Sequence, residues 1–476
     1  MKLFDILNKL DINTEEKYKD INIYDISCDS KLINKSSLFI ALNGTKFNGN
    51  VFINDAKKNG AVAVLTDEVK YQDIKENIFY IKNLRLRLSQ IAYDFYRNQP
   101  SNIIAVTGTN GKTSVVNFCK QLWDLFNQES SVIGTLGIDS KIEFDFSIHN
   151  TTPDIITMHK ILRILFNENI DNVALEASSH GIDQKRLDKI KVNIAIFTNL
   201  SQDHLDYHGD MESYFLTKTK LFTEILVNDG IAVINSDDIK SDELILMLEE
   251  RNIKYIDFGK NADYFKILEL SEENMKIKVN DEIYEINTSF VAEFEKYNLL
   301  AAMVAFYIMG FDLNKIVDLI PKIKNVKGRM HKILNNKNLN VYVDFAHTPN
   351  ALKNVLKELN KIKKGELVLI FGCGGERDKG KREIMAKIAH KYADRTYITD
   401  DNPRNESAED IRKDILKFHD QAIEIAGRDI AIKTALENLL ENDILLIAGK
   451  GHEDYQIIGE KKYDFSDIDF VKKCLE

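Results

Sequence analysis

Cysteine is scarce in the 476-residue sequence. Its four copies lie far apart and form no CxxC pair, which argues against both a zinc knuckle and a disulfide framework. They are Cys28, Cys119, Cys373 and Cys474. The cysteine content is therefore typical of a protein from a reducing compartment.

Long apolar runs and dense basic blocks are also absent. No run approaches the roughly 18 apolar residues of a membrane span. Charged residues interrupt the apolar stretch at the N-terminus, which therefore lacks the h-region of a signal peptide. The net charge of -10 is spread along the chain, without a basic patch that would follow a nucleic-acid backbone. We expect a cytoplasmic monomer that binds neither membranes nor nucleic acid.

Proline is rare as well, and its positions indicate where domains end. Of the five prolines, Pro100 and Pro321 fall between periodic segments, where proline disturbs neither a helix nor a central strand. The chain is longer than the roughly 300 residues at which a single hydrophobic core stops growing. We therefore predict three domains, at residues 1–99, 100–326 and 327–476.

Apolar strands alternate with helical patterns in all three segments. Strands 103–106 and 173–175 are almost continuously apolar, as is typical of a parallel sheet covered by helices on both faces. In a polar stretch at 265–290, apolar and polar residues alternate with a period of two, which predicts antiparallel hairpins. Strands 367–371 and 444–448 continue the pattern, so the last segment is predicted to be doubly wound.

A phosphate-binding loop follows strand 103–106. Residues 107–114 read TGTNGKTS and lead into a helix. Glycines let backbone N–H groups approach phosphate, Lys112 neutralises charge, and the Thr113 hydroxyl can bind Mg²⁺. The spacing is shorter than GxxxxGK[ST], because Val106 stands at the first glycine position, and a structural turn is the alternative interpretation. The strand, loop and helix context favours the phosphate site.

The predicted fold class is therefore α/β with three domains. The first is a small N-terminal α/β domain, and the second is a central P-loop-type ATPase domain with a parallel sheet. The third is a C-terminal Rossmann-like doubly wound domain.

Six further short sequence motifs, called blocks below, occur along the chain. They are NTTPD at 150–154, EASSHG at 176–181, DHLDYHG at 203–209, DFAHTP at 344–349, DNPR at 401–404 and GKGHE at 449–453. Together with TGTNGKT, they resemble the Mur ligase family over all three predicted domains. The resemblance implies an ATP-dependent acid–amino-acid ligase that activates a carboxylate as an acyl phosphate and joins it to the amine of an amino acid.

Within the family, the pattern is most similar to the ligases that add the third residue to UDP-N-acetylmuramoyl-L-alanyl-D-glutamate in peptidoglycan synthesis. The resemblance then implies that domain 1–99 binds the UDP substrate, that domain 100–326 binds ATP, and that domain 327–476 binds the amino acid.

The resemblance also implies a role for individual residues. The expected ATP-binding residues are Gly108, Thr109, Asn110, Gly111, Lys112, Thr113, Ser114, Asn298, Arg329, Asp344 and His347. The expected catalytic residues are Lys112, Glu176, His204 and Lys218. The expected Mg²⁺ ligands are Thr113, Glu176, His204 and Lys218. The UDP substrate is expected to contact Ser30, Asn150, Thr151, Thr152, Ser178, Gln184 and Arg186. The incoming amino acid is expected to contact Arg377, Asp401, Asn402, Pro403, Arg404, Gly449 and Glu453.

Lys218 matches the family lysine that carbon dioxide converts to a carbamate, N6-carboxylysine. An ammonium would repel Mg²⁺, whereas a carbamate supplies an anionic oxygen ligand, and its formation requires a neutral amine. The neighbouring Lys220 is the alternative, but the spacing from Tyr214 favours Lys218. His180 and His208 are interpreted as structural residues.

Arg404 distinguishes between the possible amino acids. Its guanidinium can form a bidentate pair with a carboxylate but would repel the side-chain ammonium of lysine. This favours meso-diaminopimelate or a close diacid analogue such as lanthionine. A lysine-adding ligase of the same family is the main alternative. A ligase similar to folylpolyglutamate synthetase and a non-catalytic binding homologue are less favoured, because the blocks at 150–154 and 401–404 and the four expected catalytic residues are all present.

Overall fold

A computed structural model describes residues 1–12, 15–43, 48–71, 77–148 and 150–476 of the chain. The strands in chain order are β1 (Asp25–Ser27), β2 (Ser37–Ala41), β3 (Ala61–Thr66), β4 (Ile78–Tyr80), β5 (Asn102–Thr107), β6 (Ser130–Gly134), β7 (Gly137–Asp139), β8 (Asn172–Glu176), β9 (Val192–Phe197), β10 (Leu226–Asn235), β11 (Lys254–Gly259), β12 (Phe265–Leu270), β13 (Asn274–Val279), β14 (Glu282–Asn287), β15 (His331–Ile333), β16 (Asn340–Asp344), β17 (Leu367–Phe371), β18 (Arg395–Ile398), β19 (Ile423–Glu424), β20 (Ile444–Ala448), β21 (Tyr455–Ile458) and β22 (Lys461–Asp464).

The α-helices lie between these strands. In chain order they are α1 (Leu3–Lys9), α2 (Ile53–Asn59), α3 (Leu84–Tyr96), α4 (Lys112–Leu125), α5 (Ile155–Asn167), α6 (Ser179–Asp183), α7 (Leu205–His208), α8 (Met211–Lys220), α9 (Ser241–Glu250), α10 (Glu293–Ile308), α11 (Leu313–Leu319), α12 (Pro349–Ile362), α13 (Gly380–Tyr392), α14 (Ala408–Leu416), α15 (Arg428–Glu437) and α16 (Asp467–Leu475). Within the described part of the chain, no helix combines the length and the apolar character needed to cross a membrane.

The chain divides into two compact units. The first unit comprises Met1–Ala105, Glu129–Asn193 and Lys220–Asn228, and the second comprises Val106–Gln128, Ile194–Thr219 and Asp229–Glu476. The predicted domain boundaries after residues 99 and 326 stay predictions.

The first unit contains a four-stranded sheet in the order β1-β2-β3-β4, and all of its neighbouring strands are parallel. Every residue of β2 is buried, as expected for an inner strand of a parallel sheet. The core of this part combines apolar residues of α1, α3 and α5 with strand residues such as Leu38 and Leu65. The same unit contains the order β5-β8-β6-β7, in which β6 pairs with β8 in parallel and with β7 antiparallel.

The second unit contains the strand order β14-β13-β12-β11-β10-β9. Strands β10, β11 and β12 are parallel neighbours, whereas β12, β13 and β14 form antiparallel pairs. The antiparallel hairpins predicted at 265–290 are therefore confirmed. Helix α4 packs against α10, where the rings of Trp123 and Phe306 lie 5.3 Å apart.

A six-stranded sheet follows in the order β15-β16-β20-β17-β18-β19, parallel except for the edge strand β15. Successive residues of a strand point to opposite faces. Leu369 and Leu446 accordingly pack with buried residues of α12 and α13, whereas Ile370 and Leu445 pack with those of α15 and α16. Both faces are covered, so the doubly wound prediction is confirmed.

A buried ion pair joins the two helices on one face of this sheet. Neither Arg428 nor Asp467 has an exposed side chain, and the guanidinium donates to both carboxylate oxygens at 2.7 and 2.8 Å. Arg428 also donates to the carbonyl oxygen of Ala448 at 2.9 Å. The pair is bidentate and its remaining donors are used, which are the conditions under which a buried charge pair is tolerated.

Asp467→Asn tests how much the sheet depends on this pair. The substitution keeps the shape but leaves the buried guanidinium without an opposite charge, so we expect a loss of about 3–5 kcal/mol in the free energy of opening of the sheet. Amide hydrogen exchange of β20 in the full chain measures that loss. The control is Glu437→Gln, which removes the exposed partner of Lys433 on the same face and should change the same free energy by less than about 1 kcal/mol. Equal exchange rates in the two variants would contradict the prediction.

Candidate active site

The phosphate-binding loop connects β5 to α4. Gly108 and Gly111 have φ angles of +145° and +90°, a region that residues with a Cβ rarely adopt. A Cβ at Gly108 would also collide with the hydroxyl of Thr198, and one at Gly111 would collide with the side-chain amide of Asn298. Glycine is therefore required at both positions, and Asn298 lies against the loop that is predicted to bind ATP.

The segment after β9 holds this loop in shape. The backbone N–H of Thr109 donates to the carbonyl oxygen of Asn199 at 2.8 Å, and that of Asn110 donates to the Asn199 side chain at 3.0 Å. The Thr109 hydroxyl donates to the carbonyl oxygen of Ser201 at 3.1 Å. Sequence analysis did not identify Asn199 or Ser201, although their place at the carboxyl end of a buried strand was an available signal.

Lys112 begins α4 and lies over the loop. Its amine donates to the carbonyl oxygens of Gly108 and Thr109, each at 2.9 Å. Thr113 and Ser114 are buried in the first turn of the helix. The first N–H groups of a helix lack acceptors within the helix, and the helix dipole places partial positive charge there. The loop, the lysine and the helix end together suit a phosphate group.

Arg329, which precedes β15, reaches the phosphate loop. Its Nη2 donates to the Thr113 hydroxyl at 3.1 Å, and its guanidinium carbon lies 4.6 Å from the centre of the Phe345 ring. The first contact is a hydrogen bond and the second is a cation–π interaction. The predicted ATP-binding residues 329 and 113 are therefore in direct contact.

Asp344 and His347 lie beside this arginine segment. The buried Asp344 carboxylate accepts hydrogen bonds from the backbone N–H of Met330 at 2.6 Å and of Ala346 at 2.7 Å. Burial raises the pKa of Asp344 despite these bonds. His347 is exposed, and its Nδ1 lies 2.9 Å from the carbonyl oxygen of Phe345. In the structure, Asp344 thus fixes the backbone that carries Arg329.

Lys218 is buried against the phosphate loop. Its side chain donates to the carbonyl oxygen of Gly108 at 2.9 Å and lies 4.4 Å from the centre of the Tyr214 ring, and the residue is 1% exposed. Burial, followed by the like charge of Lys112, lowers the pKa of Lys218 well below its ordinary value. Lys220, by contrast, is 39% exposed. The environment of Lys218 therefore favours the neutral amine that carbamate formation requires.

His204 precedes the short helix α7, and His208 is its last residue. His204 adopts a left-handed backbone with φ of +53°, and its Nε2 lies 3.4 Å from a carboxylate oxygen of Asp203. The rings of His204 and His208 lie 6.3 and 5.1 Å from the ring of Tyr214. Tyr214 therefore contacts both histidines as well as Lys218.

Glu176 ends β8 in the first unit and is 1% exposed. Its two carboxylate oxygens accept hydrogen bonds from the backbone N–H of Thr135 at 2.8 Å and from the Thr135 hydroxyl at 3.1 Å. A Cβ at Gly134 would lie 2.8 Å from the Glu176 Cγ. Thr135 was missed by sequence analysis, because it fixes the carboxylate from 41 residues away.

Several predicted UDP-substrate residues surround Glu176. The hydroxyl of Thr151 lies 3.0 Å from that of Thr135, and the Thr152 hydroxyl donates to the carbonyl oxygen of Glu176 at 2.8 Å. The hydroxyl of Ser178 lies 3.0 Å from that of Thr152. Thr135 connects Thr151 to the Glu176 carboxylate, whereas Thr152 connects Ser178 to the Glu176 backbone, so the blocks at 150–154 and 176–181 meet in the first unit.

The remaining predicted UDP-substrate residues are arranged less closely. Arg186 donates to the carbonyl oxygen of Thr152 at 2.6 Å and to the side-chain oxygen of Gln184 at 2.7 Å. Asn150 is exposed, and Ser30 is buried at the start of a short 3₁₀ helix in the first sheet region. No described contact joins Ser30 to the others, so its role in uridine binding stays a prediction.

Arg404 lies on a loop that the β21–β22 hairpin holds on both sides. Its backbone N–H donates to the carbonyl oxygen of Ile457 at 3.1 Å, and its carbonyl accepts from the N–H of Gly459 at 2.8 Å. Its Nη1 donates to the carbonyl oxygens of Gly375 at 2.9 Å and Asn402 at 3.3 Å. Its Nε and Nη2 donate to none of the described residues, so this edge of the guanidinium can bind a carboxylate.

Asn402 and Glu453 form a second part of the amino-acid site. The Asn402 amide donates to a carboxylate oxygen of Glu453 at 3.0 Å, and the buried Lys450 donates to the same oxygen at 3.0 Å. Gly449 has a φ of +113°, and a Cβ there would lie 2.9 Å from an oxygen of Asp401. Four predicted residues therefore meet at the carboxyl ends of β18 and β20. Lys450 was missed as a functional residue, although the block at 449–453 includes it.

Pro403 and Arg377 complete the predicted amino-acid site. Pro403 is buried, and a Cβ at Gly375 would collide with its carbonyl oxygen. Arg377 is exposed on the loop after β17 and makes no hydrogen bond with the described residues. Its role therefore stays a prediction.

The predicted magnesium ligands differ in the chemistry of their donor atoms. Among the described residues, no group of three or more His, Cys, Asp or Glu side chains is arranged to hold a metal ion. Mg²⁺ prefers oxygen ligands, which Thr113 and Glu176 supply directly and Lys218 supplies once it is a carbamate. The nitrogen of His204 suits Mg²⁺ less well. The oxygen donors are of the kind that the ion prefers, and the ligand set stays a prediction.

Three family models match the chain in its three predicted segments. The Mur ligase family catalytic domain matches residues 22–96, the Mur ligase middle domain matches 106–306, and the Mur ligase glutamate ligase domain matches 328–451. Together these matches include more than half of the chain.

Full-length relatives agree with the family models. The chain is 42% identical to a UDP-N-acetylmuramoyl-L-alanyl-D-glutamate--2,6-diaminopimelate ligase of Rickettsia montanensis, over 98% of each protein. A solved structure of a ligase with that name has a TM-score of 0.68 and 32% identity, and the match covers 100% of this chain and 98% of the other. A MurF ligase from Thermotoga maritima in complex with ADP has a TM-score of 0.66 at 17% identity, with 96% and 98% covered, and shows likeness of fold alone. The chain therefore belongs to the Mur ligase family.

Proposed function

We propose that the chain is an ATP-dependent ligase that adds meso-diaminopimelate, or a close diacid analogue, to UDP-N-acetylmuramoyl-L-alanyl-D-glutamate in cytoplasmic peptidoglycan synthesis. The full-length relatives named as diaminopimelate ligases support the substrates. The observation that carries the chemistry is the burial of Lys218 against the phosphate loop, which suits a carbamate ligand. We propose that the enzyme acts as a monomer.

The reaction has two steps. The side-chain carboxylate of the D-glutamyl residue attacks the γ-phosphorus of ATP, so that ADP leaves and an acyl phosphate forms. The amine of the incoming amino acid then attacks the acyl carbon, and the tetrahedral intermediate collapses to the amide with loss of phosphate. No side chain of the protein forms a covalent bond, and positioning and charge neutralisation supply the catalysis.

The residues of the phosphate loop bind and orient ATP in this proposal. The backbone N–H groups from Gly111 to Ser114 and the amine of Lys112 would bind the phosphates, and Asn298 lies against Gly111. Mg²⁺ neutralises charge on the transferring phosphoryl group when it is bound. Thr113, Glu176, His204 and the carbamate of Lys218 are the proposed ligands.

The amino-acid site favours a substrate with a distal carboxylate. The Nε and Nη2 edge of Arg404 would bind that carboxylate, while the oxygens of Glu453 and Asn402 would accept from an ammonium. Lysine has no distal carboxylate, and its side-chain ammonium would face the guanidinium. The proposed site therefore disfavours lysine, and a lysine-adding ligase is the second candidate. Phosphate release with the UDP dipeptide substrate and a panel of meso-diaminopimelate, lanthionine and lysine discriminates among them.

Lys218→Ala tests the carbamate. Loss of an anionic ligand should leave Mg²⁺ and the phosphates poorly held, so we expect turnover to fall by roughly 100-fold or more. Formate or acetate should partly restore it by replacing the missing oxygen ligand. Phosphate release measures both effects. Lys220→Ala is the matched control, because that lysine lies two residues away and is exposed. Near-normal turnover of Lys218→Ala, or rescue by chloride as effective as rescue by acetate, would contradict the assignment.

Arg404→Ala tests the specificity of the amino-acid site. A desolvated charge-assisted pair contributes roughly 2–5 kcal/mol, so the KM for meso-diaminopimelate should rise about 30-fold or more. The KM values for ATP and the UDP substrate should change little, because neither lies against Arg404 in the proposal. Steady-state kinetics with each substrate varied in turn measures the three constants. A wild type that prefers lysine at equal concentration would replace the diacid proposal with the lysine-adding alternative.

A further inference from the structure

The loop after β17 is attached to the loop after β18 by hydrogen bonds near Arg404. The backbone N–H of Gly375 donates to the carbonyl oxygen of Asn402 at 2.9 Å, and the carbonyl of Gly375 accepts from Nη1 of Arg404 at 2.9 Å. Gly375 is therefore the direct support of the guanidinium. Any shift of residue 375 moves the hydrogen-bond acceptor that orients Arg404.

Glu406 fixes the residue that follows Gly375. One of its oxygens accepts from the backbone N–H of Glu376 at 2.5 Å. The other accepts from Nη2 of Arg382 at 2.8 Å and lies 3.3 Å from the amine of Lys379. The Arg382 side chain is only 3% exposed and also pairs with Asp414 at 3.0 Å. The Glu406 carboxylate thus connects the buried guanidinium of α13 to the backbone of the loop.

Glu376 needs such a restraint because its backbone conformation is unfavourable. Its φ of +53° lies in the left-handed region, which residues other than glycine, asparagine and aspartate rarely adopt. The side chain of Glu376 accepts from Asn405 at 2.9 Å, so the neighbour of Glu406 holds it from the other side. Without these two contacts, a relaxed conformation of residue 376 would displace the carbonyl of Gly375.

We propose that Glu406 is a positioning residue for amino-acid specificity, which acts through Glu376 and Gly375 on the guanidinium of Arg404. The proposal rests on the proposed role of Arg404 in binding the distal carboxylate. Glu406 itself is directed at the backbone and at Arg382, and it does not need to touch the substrate.

The ionisation of Glu406 supports this role. The hydrogen bonds from Arg382 and then from the N–H of Glu376 lower the pKa of Glu406 to about 2. The carboxylate is therefore charged throughout the pH range in which such a ligase is assayed. Positioning by Glu406 should accordingly be independent of pH.

Two variants separate positioning from stability. Glu406→Gln keeps the length of the side chain but turns one acceptor into a donor, which suits neither the N–H of Glu376 nor Arg382. Glu406→Asp keeps a charge near Arg382 but is too short to reach Glu376 as well. We expect both variants to raise the KM for meso-diaminopimelate by roughly tenfold, with little change in the KM for ATP. Glu409→Gln is the control, because that exposed carboxylate pairs with Lys413 one turn along α14.

A double-mutant cycle with Arg404→Ala provides the decisive measurement. If Glu406 acts through Arg404, adding Glu406→Gln to Arg404→Ala should raise the KM for meso-diaminopimelate by less than about twofold, although it raises that KM about tenfold in the wild type. The preference for meso-diaminopimelate over lysine should fall in the single variant as well. Thermal melting of each variant shows whether the chain is folded.

Each outcome shows whether the inference about Glu406 or the proposed function has failed. Equal effects of Glu406→Gln in both backgrounds, or an equal rise in the KM values for ATP and the diacid, would mean that Glu406 is a structural residue and would overturn the inference. If Glu406→Gln does not fold, Glu406→Asp takes its place in the cycle and is judged in the same way. A wild type that prefers lysine would overturn the proposed function instead, and the kinetics of the wild type alone reveal that case.

Discussion

The amine of Lys218 is almost completely removed from water, and a charge in that setting is costly unless an opposite charge compensates it. Its contacts are a carbonyl oxygen and an aromatic ring, not a carboxylate. Burial consequently lowers the pKa of this amine, and the proposed carbamate requires the neutral form. Because the same carbonyl of Gly108 also accepts from Lys112, the conformation of the phosphate loop controls the placement of both lysines.

Left-handed backbone conformations, which residues other than glycine rarely adopt, occur at the proposed sites. Gly108 and Gly111 have positive φ angles in the phosphate loop, and Glu376 and Arg404 have them in the amino-acid site. Glycine adopts this region without strain, whereas the two charged residues do not. Their conformations persist because neighbouring strands and side chains bond to the backbone on both sides.

Sequence analysis predicted the buried strands and the phosphate loop well, because both have local signals. Strand 103–106 was placed within one residue of each end of β5, and the doubly wound sheet was recognised. It missed Asn199 and Thr135, which act on a backbone N–H and a carboxylate 89 and 41 residues away, and it missed Lys450, which bonds to Glu453 within the same block. The left-handed backbone of Arg404 was not predicted either, because arginine has no preference for that conformation.

The amino-acid site also depends on the buried core of its sheet. The segments 401–404 and 449–453 begin where β18 and β20 end, and the buried guanidinium of Arg428 bonds to the carbonyl oxygen of Ala448 at that point. It lies 3.5 Å from the carbonyl oxygen of Asp400 at the start of the other segment. One internal charge pair with Asp467 therefore fixes the origin of both segments. Since a guanidinium cannot shift without losing these directional bonds, the buried pair fixes where both segments start, and the contacts of the loops then place Arg404 and Glu453.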